Sequence, residues 1–362
     1  MSFTADNQPS SVLGTNRISK LTISSYILDW IVVIALAAVG GVLYKITGNQ
    51  HAFSLDDPNI SYPLYSDTFS ITVVGIIAFA VPAVIIMVLS LLVPTSTITA
   101  SGYGTRGLSP WKRRLWEWHT GWLGLGLSLA GAFFVVSGLK DIVGKPRPDF
   151  LARCNPDLSN ISAHLAGGLG LRREGAPVLV HASICQNTDA AVIKDGFAAF
   201  PSGHSSFAWA GLLYLSLWLC AKFAIIPPAH STAPSALRRN GQSTYSPSSR
   251  PAAPPLYLLL IAASPVGLAL CICATRYSDY MHAGWDIMSA TIIGAFFACL
   301  GFRWYHTFPP TTLLGPTEEG GGWAFPPRSK SHALWVAYGS RGYPENGIIN
   351  EYEDLEMGPV GR

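Results

Sequence analysis

The sequence predicts an all-α, polytopic membrane protein in which six transmembrane helices form a bundle. Hydrophobic residues make up 49% of the 362-residue chain and charged residues only 12%, whereas a soluble domain carries about 25% charged residues. The mean hydropathy of +0.32 points the same way. Six apolar runs reach the length of about 20 residues that a helix needs to cross a bilayer. The net charge of +3 is small and dispersed, which excludes a basic surface for nucleic acid.

The six predicted spans are separated by polar segments. They are expected at about 26–46, 69–93, 119–139, 204–226, 255–274 and 283–302. Together they form a predicted membrane domain of residues 23–305, between a polar N-terminal segment, residues 1–22, and a polar, disordered tail, residues 306–362. A stretch rich in Pro, Ser and Ala, residues 227–254, is predicted to be a flexible linker within this domain.

The third span carries a stripe of small residues. Gly124, Ser128 and Ala132 recur every four residues, a spacing that places them on one helix face. Small side chains let two helix backbones approach closely in a membrane. The stripe therefore predicts close packing against a neighbouring helix.

The distribution of Lys and Arg predicts the orientation, because short cytosolic loops are enriched in these residues. The basic residues before span one and after spans two and four are Arg17, Lys20, Arg106, Lys112, Arg113, Arg114, Arg238, Arg239 and Arg250. The loop after span one instead carries Asp56, Asp57 and Asp67. Both termini, the linker and the tail are therefore predicted to be cytosolic. The loops after spans one, three and five are predicted to face the lumen or the outside.

Two cysteines, Cys154 and Cys185, fall in one of the predicted outer loops. An oxidising outer compartment would allow them to form a disulfide, and the sequence leaves the free and the paired forms open. Sequons at Asn59 and Asn160 fall on the same predicted side, as N-glycosylation requires.

Three polar clusters also fall on this outer side. LKDIVGKPRPDF at the end of span three holds Lys140, Lys145 and Arg147; FPSGHSS at the start of span four holds Ser202, Gly203 and His204; TRYSDYMHAGWD between spans five and six holds Arg276, His282 and Asp286. Their convergence predicts a site at the non-cytosolic membrane edge.

The chemistry of the three clusters suits a phosphoryl group. A helix that begins after Ser202 would offer the amides of Gly203 and His204 to an anion, and the Lys and Arg side chains would neutralise its oxygens. If His282 and Asp286 share a helix face, the carboxylate can hold one imidazole tautomer and leave the other nitrogen as a nucleophile. Taken singly, the clusters also fit structural roles: snorkelling cations, a plain helix cap and a structural His–Asp pair. The scattered acids nearby predict no metal site.

In chain order, the three clusters resemble the three-part signature of the type 2 phosphatidic acid phosphatase superfamily. The matching elements are Lys140-x6-Arg147-Pro148, Pro201-Ser202-Gly203-His204 and Arg276-x5-His282-x3-Asp286. The flanking stretches GKPRPDFLARC, DGFAAFPSGHSSFAWAGL and DYMHAGWD are most similar to the lipid phosphate phosphatases of the fungal diacylglycerol pyrophosphate and phosphatidate type. The resemblance covers about residues 20–305.

The resemblance implies a role for each matching residue. His282 would be the nucleophile that forms a phosphohistidine, Asp286 would orient it, and His204 would be the general acid. The residues implied to bind phosphate are Lys140, Arg147, Arg276, Ser202 and Gly203. No metal or other cofactor is implied, so activity is expected without magnesium. The sequence departs from the pattern at Thr275, where many members have Ser, and Lys145 lies outside the pattern with its role open.

The implied function is hydrolysis of the phosphomonoester or pyrophosphate headgroup of phosphatidate, diacylglycerol pyrophosphate or lysophosphatidate. The implied partner is a phospholipid substrate in the bilayer, and the implied location is the plasma membrane or an endomembrane such as the vacuole, ER or Golgi. Neither the preferred lipid nor the oligomeric state follows from the sequence. Alternatives are a phosphatase for sphingoid or isoprenoid phosphates and a headgroup phosphotransferase. Three further alternatives fit less well. A sugar-phosphate phosphatase would need more than six spans, and a vanadate-dependent haloperoxidase would be soluble. A non-catalytic lipid receptor would not need an intact His204, His282 and Asp286.

Overall fold

The computed structural model describes residues 20–93, 109–223, 225 and 255–306. The predicted linker, residues 227–254, and almost all of the predicted N-terminal segment and tail lie outside the described residues. The chain divides into two compact units, residues 28–326 and residues 1–27 with 327–362. Of the second unit only residues 20–27 are described, and they form the first turns of helix α1 (Lys20–Lys45).

The described part of the chain is mostly helical, as predicted. After α1, its helices are α2 (Ile71–Gly75), α3 (Val81–Leu92), α4 (Pro110–Val143), α5 (Phe150–Cys154), α6 (Ala190–Gly196), α7 (Gly203–Lys222), α8 (Leu256–Ser278) and α9 (Gly284–Tyr305). A π-helical stretch, Ile76–Ala80, connects α2 to α3, so that Ile71–Leu92 runs as one continuous helix.

Within the described residues, five helices are long and apolar enough to cross a membrane: α1, the continuous α2–α3 helix, α4, α8 and α9. They confirm the spans predicted at about 26–46, 69–93, 119–139, 255–274 and 283–302. Large apolar side chains remain exposed along α1, α8 and α9, as a surface that faces lipid requires. The predicted third span is the interior of a longer helix, because α4 begins at Pro110.

The segment predicted as the fourth span, about 204–226, is helical but does not belong to these five. It forms α7, whose mean hydropathy is lowered by His204, three serines, a tyrosine and two tryptophans. This helix packs against α4, α8 and α9, so that protein instead of lipid surrounds most of its side chains. A helix in this position tolerates polar residues that a lipid-facing span would not. This explains why five helices, and not the six predicted, are apolar enough to be recognised as spans.

The centre of the bundle core is the buried face of α7. Tyr214 and Trp218 are fully buried, and both project from this helix toward its neighbours. The Tyr214 hydroxyl donates a hydrogen bond of 2.9 Å to the carbonyl of Gly121 on α4. Buried Tyr hydroxyls need such a partner, so this bond fixes the contact between α4 and α7.

The small-residue stripe of α4 lies at the same contact region. Ser128 Oγ donates to the Ala210 carbonyl on α7 at 2.8 Å. The Gly301 carbonyl on α9 lies 2.9 Å from the point where a Cβ on Gly124 would stand, and Ala132 is completely buried. The close helix packing predicted from the stripe is therefore confirmed.

The connections from α1 to α2 and from α4 to α7 form a small subdomain at one end of the bundle, here termed the loop subdomain. Its strands β1 (Phe53–Ser54), β2 (Leu165–Gly167) and β3 (Leu179–Val180) pair antiparallel in the order β1–β3–β2. Phe53, Phe150 and Phe197 pack together in its core. A disulfide joins Cys154 to Cys185, which settles the choice that the sequence left open. The strands were not predicted, because runs of two or three residues carry no alternating pattern.

Replacement of Gly301 by Ala is expected to destabilise the bundle, because the added Cβ would collide with the Gly124 carbonyl. Overpacking of this kind costs about 1–3 kcal/mol. The matched control is Gly267→Ala on α8, where the added Cβ would meet no described atom within 4 Å apart from the adjoining backbone of its own helix, and Ala favours the helix by about 0.5–1 kcal/mol. Thermal unfolding of the purified proteins in detergent measures both effects, and equal midpoints for the two variants would contradict the packing.

Candidate active site

Lys140 and Arg147 lie on either side of a helix end. The sequence predicted a shared face for them only if the helix persisted, and it ends instead at Gly144, whose φ of +56° is a left-handed conformation that favours glycine. Lys140 is in the last turn of α4. Arg147 is in the following loop, where its N–H donates to the Gly196 carbonyl at 2.8 Å. The loop, and not a helix face, therefore brings the two cations together.

Both cations are held by groups from elsewhere in the fold. Lys140 Nζ donates to the Ala198 carbonyl. Arg147 Nη2 forms an ion pair of 2.7 Å with Asp195, and its Nη1 contacts Met281 Sδ at 3.4 Å. Arg147 Nε is buried and has no hydrogen-bond partner among the described residues, so one donor of this guanidinium is available to a ligand.

Ser202 caps the N-terminus of α7, as predicted. Its Oγ accepts from the Ser205 N–H at 3.4 Å, and the first amides of a helix have no acceptor within the helix. A Cβ on Gly203 would stand 3.6 Å from Lys140 Cε, so the lysine lies directly beside this helix end. The amides and the ammonium group together form an environment that attracts an anion.

His204 lies in the first turn of α7. Its Nε2 is buried and, in the part of the chain that the structure describes, has no hydrogen-bond partner. Buried polar atoms are nearly always paired in folded proteins. This nitrogen is therefore a candidate for contact with a ligand or a reacting atom.

Arg276, in the last turn of α8, is 1% exposed and lies between two carboxylates. Its Nη1 is 2.7 Å from Asp67 and its Nη2 is 2.7 Å from Asp279. Asp279 also accepts from the backbone N–H and the hydroxyl of Thr68, at 2.9 and 2.8 Å, which ties α8 to the loop before α2. Neither carboxylate was predicted as a site residue, although Asp67 belongs to the acidic loop after span one.

His282 is buried in the short turn between α8 and α9. Its Nδ1 is 2.7 Å from the Ala199 carbonyl. Because a carbonyl only accepts, Nδ1 carries the proton of the neutral ring and Nε2 carries the lone pair. Burial, together with the positive charges of Arg147 and Lys140, holds the pKa of His282 well below its ordinary value, although the Ala199 hydrogen bond opposes this shift. The ring is therefore neutral near pH 7.

Asp286 is placed differently from the expectation that it orients the imidazole on a shared helix face. Because α9 begins only after His282, the two residues do not share such a face. Oδ2 of Asp286 accepts from the Ala283 N–H at 3.0 Å, and Oδ1 accepts from Lys145 Nζ at 2.7 Å. Asp286 thus supports the turn that carries His282, while Ala199 holds the imidazole itself.

Backbone hydrogen bonds join the three segments that carry the predicted site. The Ser202 N–H donates to the Asp286 carbonyl, and the Ala199 N–H donates to the Lys145 carbonyl, both at 3.1 Å. Lys140 and Arg147 are close enough to His282 for their positive charges to lower its pKa. The residues that the structure brings to this end of the bundle are Lys140, Arg147, Ser202, Gly203, His204, Arg276, His282 and Asp286.

Asp195 is a further residue of the site that the sequence did not predict. It bridges Arg147 at 2.7 Å and Arg153 at 3.0 Å. Burial alone would raise the pKa of Asp195, but the charges of Arg147 and Arg153 outweigh it and hold the pKa below its ordinary value. No sequence pattern links Asp195 to Arg147, because the contact joins α6 to the loop after α4, 48 residues apart in the chain.

The positive groups that the site presents are side-chain cations and helix amides. Among the described residues, no group of three or more His, Cys, Asp or Glu side chains could hold a metal ion. The arrangement can therefore bind an anion through Lys140, Arg147, Arg276 and the start of α7, and it places the lone pair of a neutral imidazole in the same region.

Several known proteins are similar to this chain over most of its length. A PA-phosphatase related-family protein of Dictyostelium discoideum is 29% identical, over 77% of this chain and 69% of its own length. Lipid phosphate phosphatase 2 of Arabidopsis thaliana is 26% identical, over 78% of this chain and 77% of its own. Diacylglycerol pyrophosphate phosphatase 1 of Saccharomyces cerevisiae is 25% identical, over 72% of each chain. No solved structure gives a significant match.

A family model described as the PAP2 superfamily matches residues 121–310. The match covers more than half of the chain, and the three motif segments from Lys140 to Asp286 lie within it. It begins in α4 and includes α7, α8 and α9, the helices that carry the candidate site. The chain therefore belongs to the PAP2 superfamily, the family that its three motifs resemble.

Proposed function

We propose that the protein is a magnesium-independent lipid phosphate phosphatase that acts on phosphatidate, diacylglycerol pyrophosphate or lysophosphatidate through a phosphohistidine intermediate. The observation that carries the proposal is the buried, neutral His282, whose Nδ1 proton is bonded to Ala199 so that Nε2 holds the lone pair. The names of two relatives, a lipid phosphate phosphatase and a diacylglycerol pyrophosphate phosphatase, support this substrate class.

The reaction proceeds in two steps. In the first, the Nε2 lone pair of His282 attacks phosphorus, a P–N bond forms, and the P–O bond to the leaving group breaks while His204 donates a proton to the departing oxygen. In the second, His204 accepts a proton from water, the water oxygen attacks phosphorus, and the P–N bond breaks. Inorganic phosphate leaves, and both histidines return to their starting states.

Fixed positive groups neutralise the phosphoryl oxygens during both steps. Phosphoryl transfer depends mainly on positioning and on stabilising charge at these oxygens, and guanidinium groups bind them in a bidentate manner. In the structure Arg147 and Arg276 bond to the carboxylates of Asp195 and Asp67, and Lys140 bonds to a carbonyl. Phosphate oxygens are acceptors of the same kind and would join or replace these contacts.

The proposed site lies at the non-cytosolic membrane edge, with both termini cytosolic. Support comes from the charge asymmetry of the loops and from the position of all three motif segments beside the loop subdomain. A lipid can then keep its acyl chains in the bilayer while its headgroup reaches the site. The protein would be a multi-pass component of the plasma membrane or of an endomembrane.

Release of inorganic phosphate from lipids in mixed micelles tests the proposed function. Hydrolysis of at least one of the three named lipids is expected with EDTA present, at a rate that added magnesium does not raise. The panel also includes sphingoid and isoprenoid phosphates and an acceptor lipid. A preference for those phosphates, or headgroup transfer to the acceptor, would replace the proposed substrate class. A strict requirement for magnesium would contradict the proposal.

His282→Ala is expected to abolish the phosphoenzyme, because it removes the attacking nitrogen. His204→Ala is expected to lower turnover by about 10²–10⁴-fold, the usual contribution of general acid catalysis. Rapid quenching with substrate labelled in its phosphate measures both effects. The control is His181→Ala, an exposed histidine of the loop subdomain, which should keep wild-type turnover. Labelled phosphate on the His282→Ala protein would overturn the assignment of the nucleophile.

The low pKa of His282 predicts a pH-dependent stability. The pKa of His282 in the folded protein lies below the ordinary value of about 6.5. Below this ordinary value, the unfolded chain therefore binds more protons than the folded protein does. Stability then falls with falling pH, by up to about 1.4 kcal/mol per pH unit. Thermal unfolding at pH 7.5 and 5.5 should show a smaller loss for His282→Gln than for the wild type and for His181→Gln. Equal losses in all three proteins would contradict a neutral, buried His282.

A further inference from the structure

Lys145 lies outside the three motifs, yet it makes two contacts inside the site. Its side chain Nζ is 2.7 Å from Oδ1 of Asp286. Its backbone carbonyl accepts from the Ala199 N–H at 3.1 Å. One residue in the loop after α4 is thus bonded both to the start of α9 and to the segment before α7.

Both contacts lead to the turn or the ring of His282. The carbonyl of Ala199 is the partner of His282 Nδ1 at 2.7 Å. The second carboxylate oxygen of Asp286 accepts from the N–H of Ala283, the residue directly after the nucleophile. Lys145 therefore holds the imidazole acceptor on one side and the turn that carries the imidazole on the other.

The two side chains of the ion pair between Lys145 and Asp286 differ in their exposure to solvent. The Asp286 side chain is 0% exposed, whereas that of Lys145 is 40% exposed. Removing one partner of a buried ion pair is strongly destabilising, because the other charge stays buried without compensation. Without the ammonium group of Lys145, Oδ1 of Asp286 would lie in the protein interior without its cationic partner.

We propose that Lys145 is a positioning residue of the active site, whose ammonium group acts through Asp286 and the turn that Asp286 supports to aim Nε2 of His282 at the phosphorus atom. This inference rests on the proposed phosphatase function. The proposed role of Lys145 differs from that of the neighbouring cations Lys140 and Arg147, for which direct contact with phosphate oxygens is proposed.

The test compares Lys145→Met, Lys145→Arg and the wild type on the best lipid substrate of the panel, with inorganic phosphate as a competitive inhibitor. A small displacement of a reacting group costs on the order of 10²-fold in rate, so kcat of Lys145→Met should fall by about that factor. Its KM and its inhibition constant for inorganic phosphate should stay within about threefold of wild type, as expected for an interaction that acts only on the chemical step. Lys145→Arg, which keeps the charge, should recover most of the loss.

The matched control is Lys194→Met. Lys194 is another lysine of the loop subdomain, and its Nζ donates to the Tyr44 carbonyl at 2.7 Å instead of to the site. It should keep wild-type kcat. If Lys145→Met does not fold, two other variants are compared: Asp286→Asn and the double variant Lys145→Met/Asp286→Asn. Both lack the Asp286 carboxylate, so neither leaves a buried negative charge without its cation. The double variant should then be no slower than Asp286→Asn alone.

Two kinetic outcomes would overturn the inference. An unchanged kcat in Lys145→Met shows that the lysine does not position the nucleophile. A large rise in the phosphate inhibition constant with little change in kcat shows that it is a phosphate ligand. A wild-type protein without phosphatase activity on any lipid of the panel would remove the proposed function and this inference with it, whereas an active wild type with either kinetic outcome removes the inference alone.

Discussion

The hydrogen bond from Nδ1 of His282 to the Ala199 carbonyl is the contact on which the rest of the site depends. It determines which ring nitrogen carries the proton, and it joins the α8–α9 turn to the segment before α7. A backbone carbonyl does not titrate and cannot rotate independently of its chain, so the ring orientation follows directly from how these two segments pack. Burial among positive charges keeps the ring neutral, which is the state in which an imidazole can act as a nucleophile.

The buried cations around this bond require carboxylates, because an unpaired charge in a protein interior is costly. Arg276 is paired with Asp67 and Asp279, and Arg147 with Asp195. Asp67 and Asp195 both come from the loop subdomain. That subdomain is therefore a structural part of the site, because it supplies the carboxylates that the guanidinium groups contact.

The bundle sets where the three motif segments meet. Close contact between α4 and α9 at Gly124 and Gly301 lets α7 pack centrally against both helices. The N-terminus of α7 then emerges between the end of α4 and the α8–α9 turn. Because protein surrounds α7 on several sides, the helix can begin with polar residues such as His204 without exposing them to lipid. Because α7 is shielded from lipid in this way, its sequence can be less apolar than those of the other predicted spans.

The sequence by itself determined the helical membrane architecture, five of its spans, the cap at Ser202, the close-packing stripe and the family, because hydropathy, periodicity and motif order are local properties of the chain. It also identified every residue for which a direct role in the chemistry is proposed. Only the tertiary structure decided the partners: Ala199 for His282, Lys145 for Asp286, and the carboxylates around the arginines. These contacts join segments far apart in sequence, and several use backbone atoms that every residue has. No pattern of side chains could therefore have indicated them.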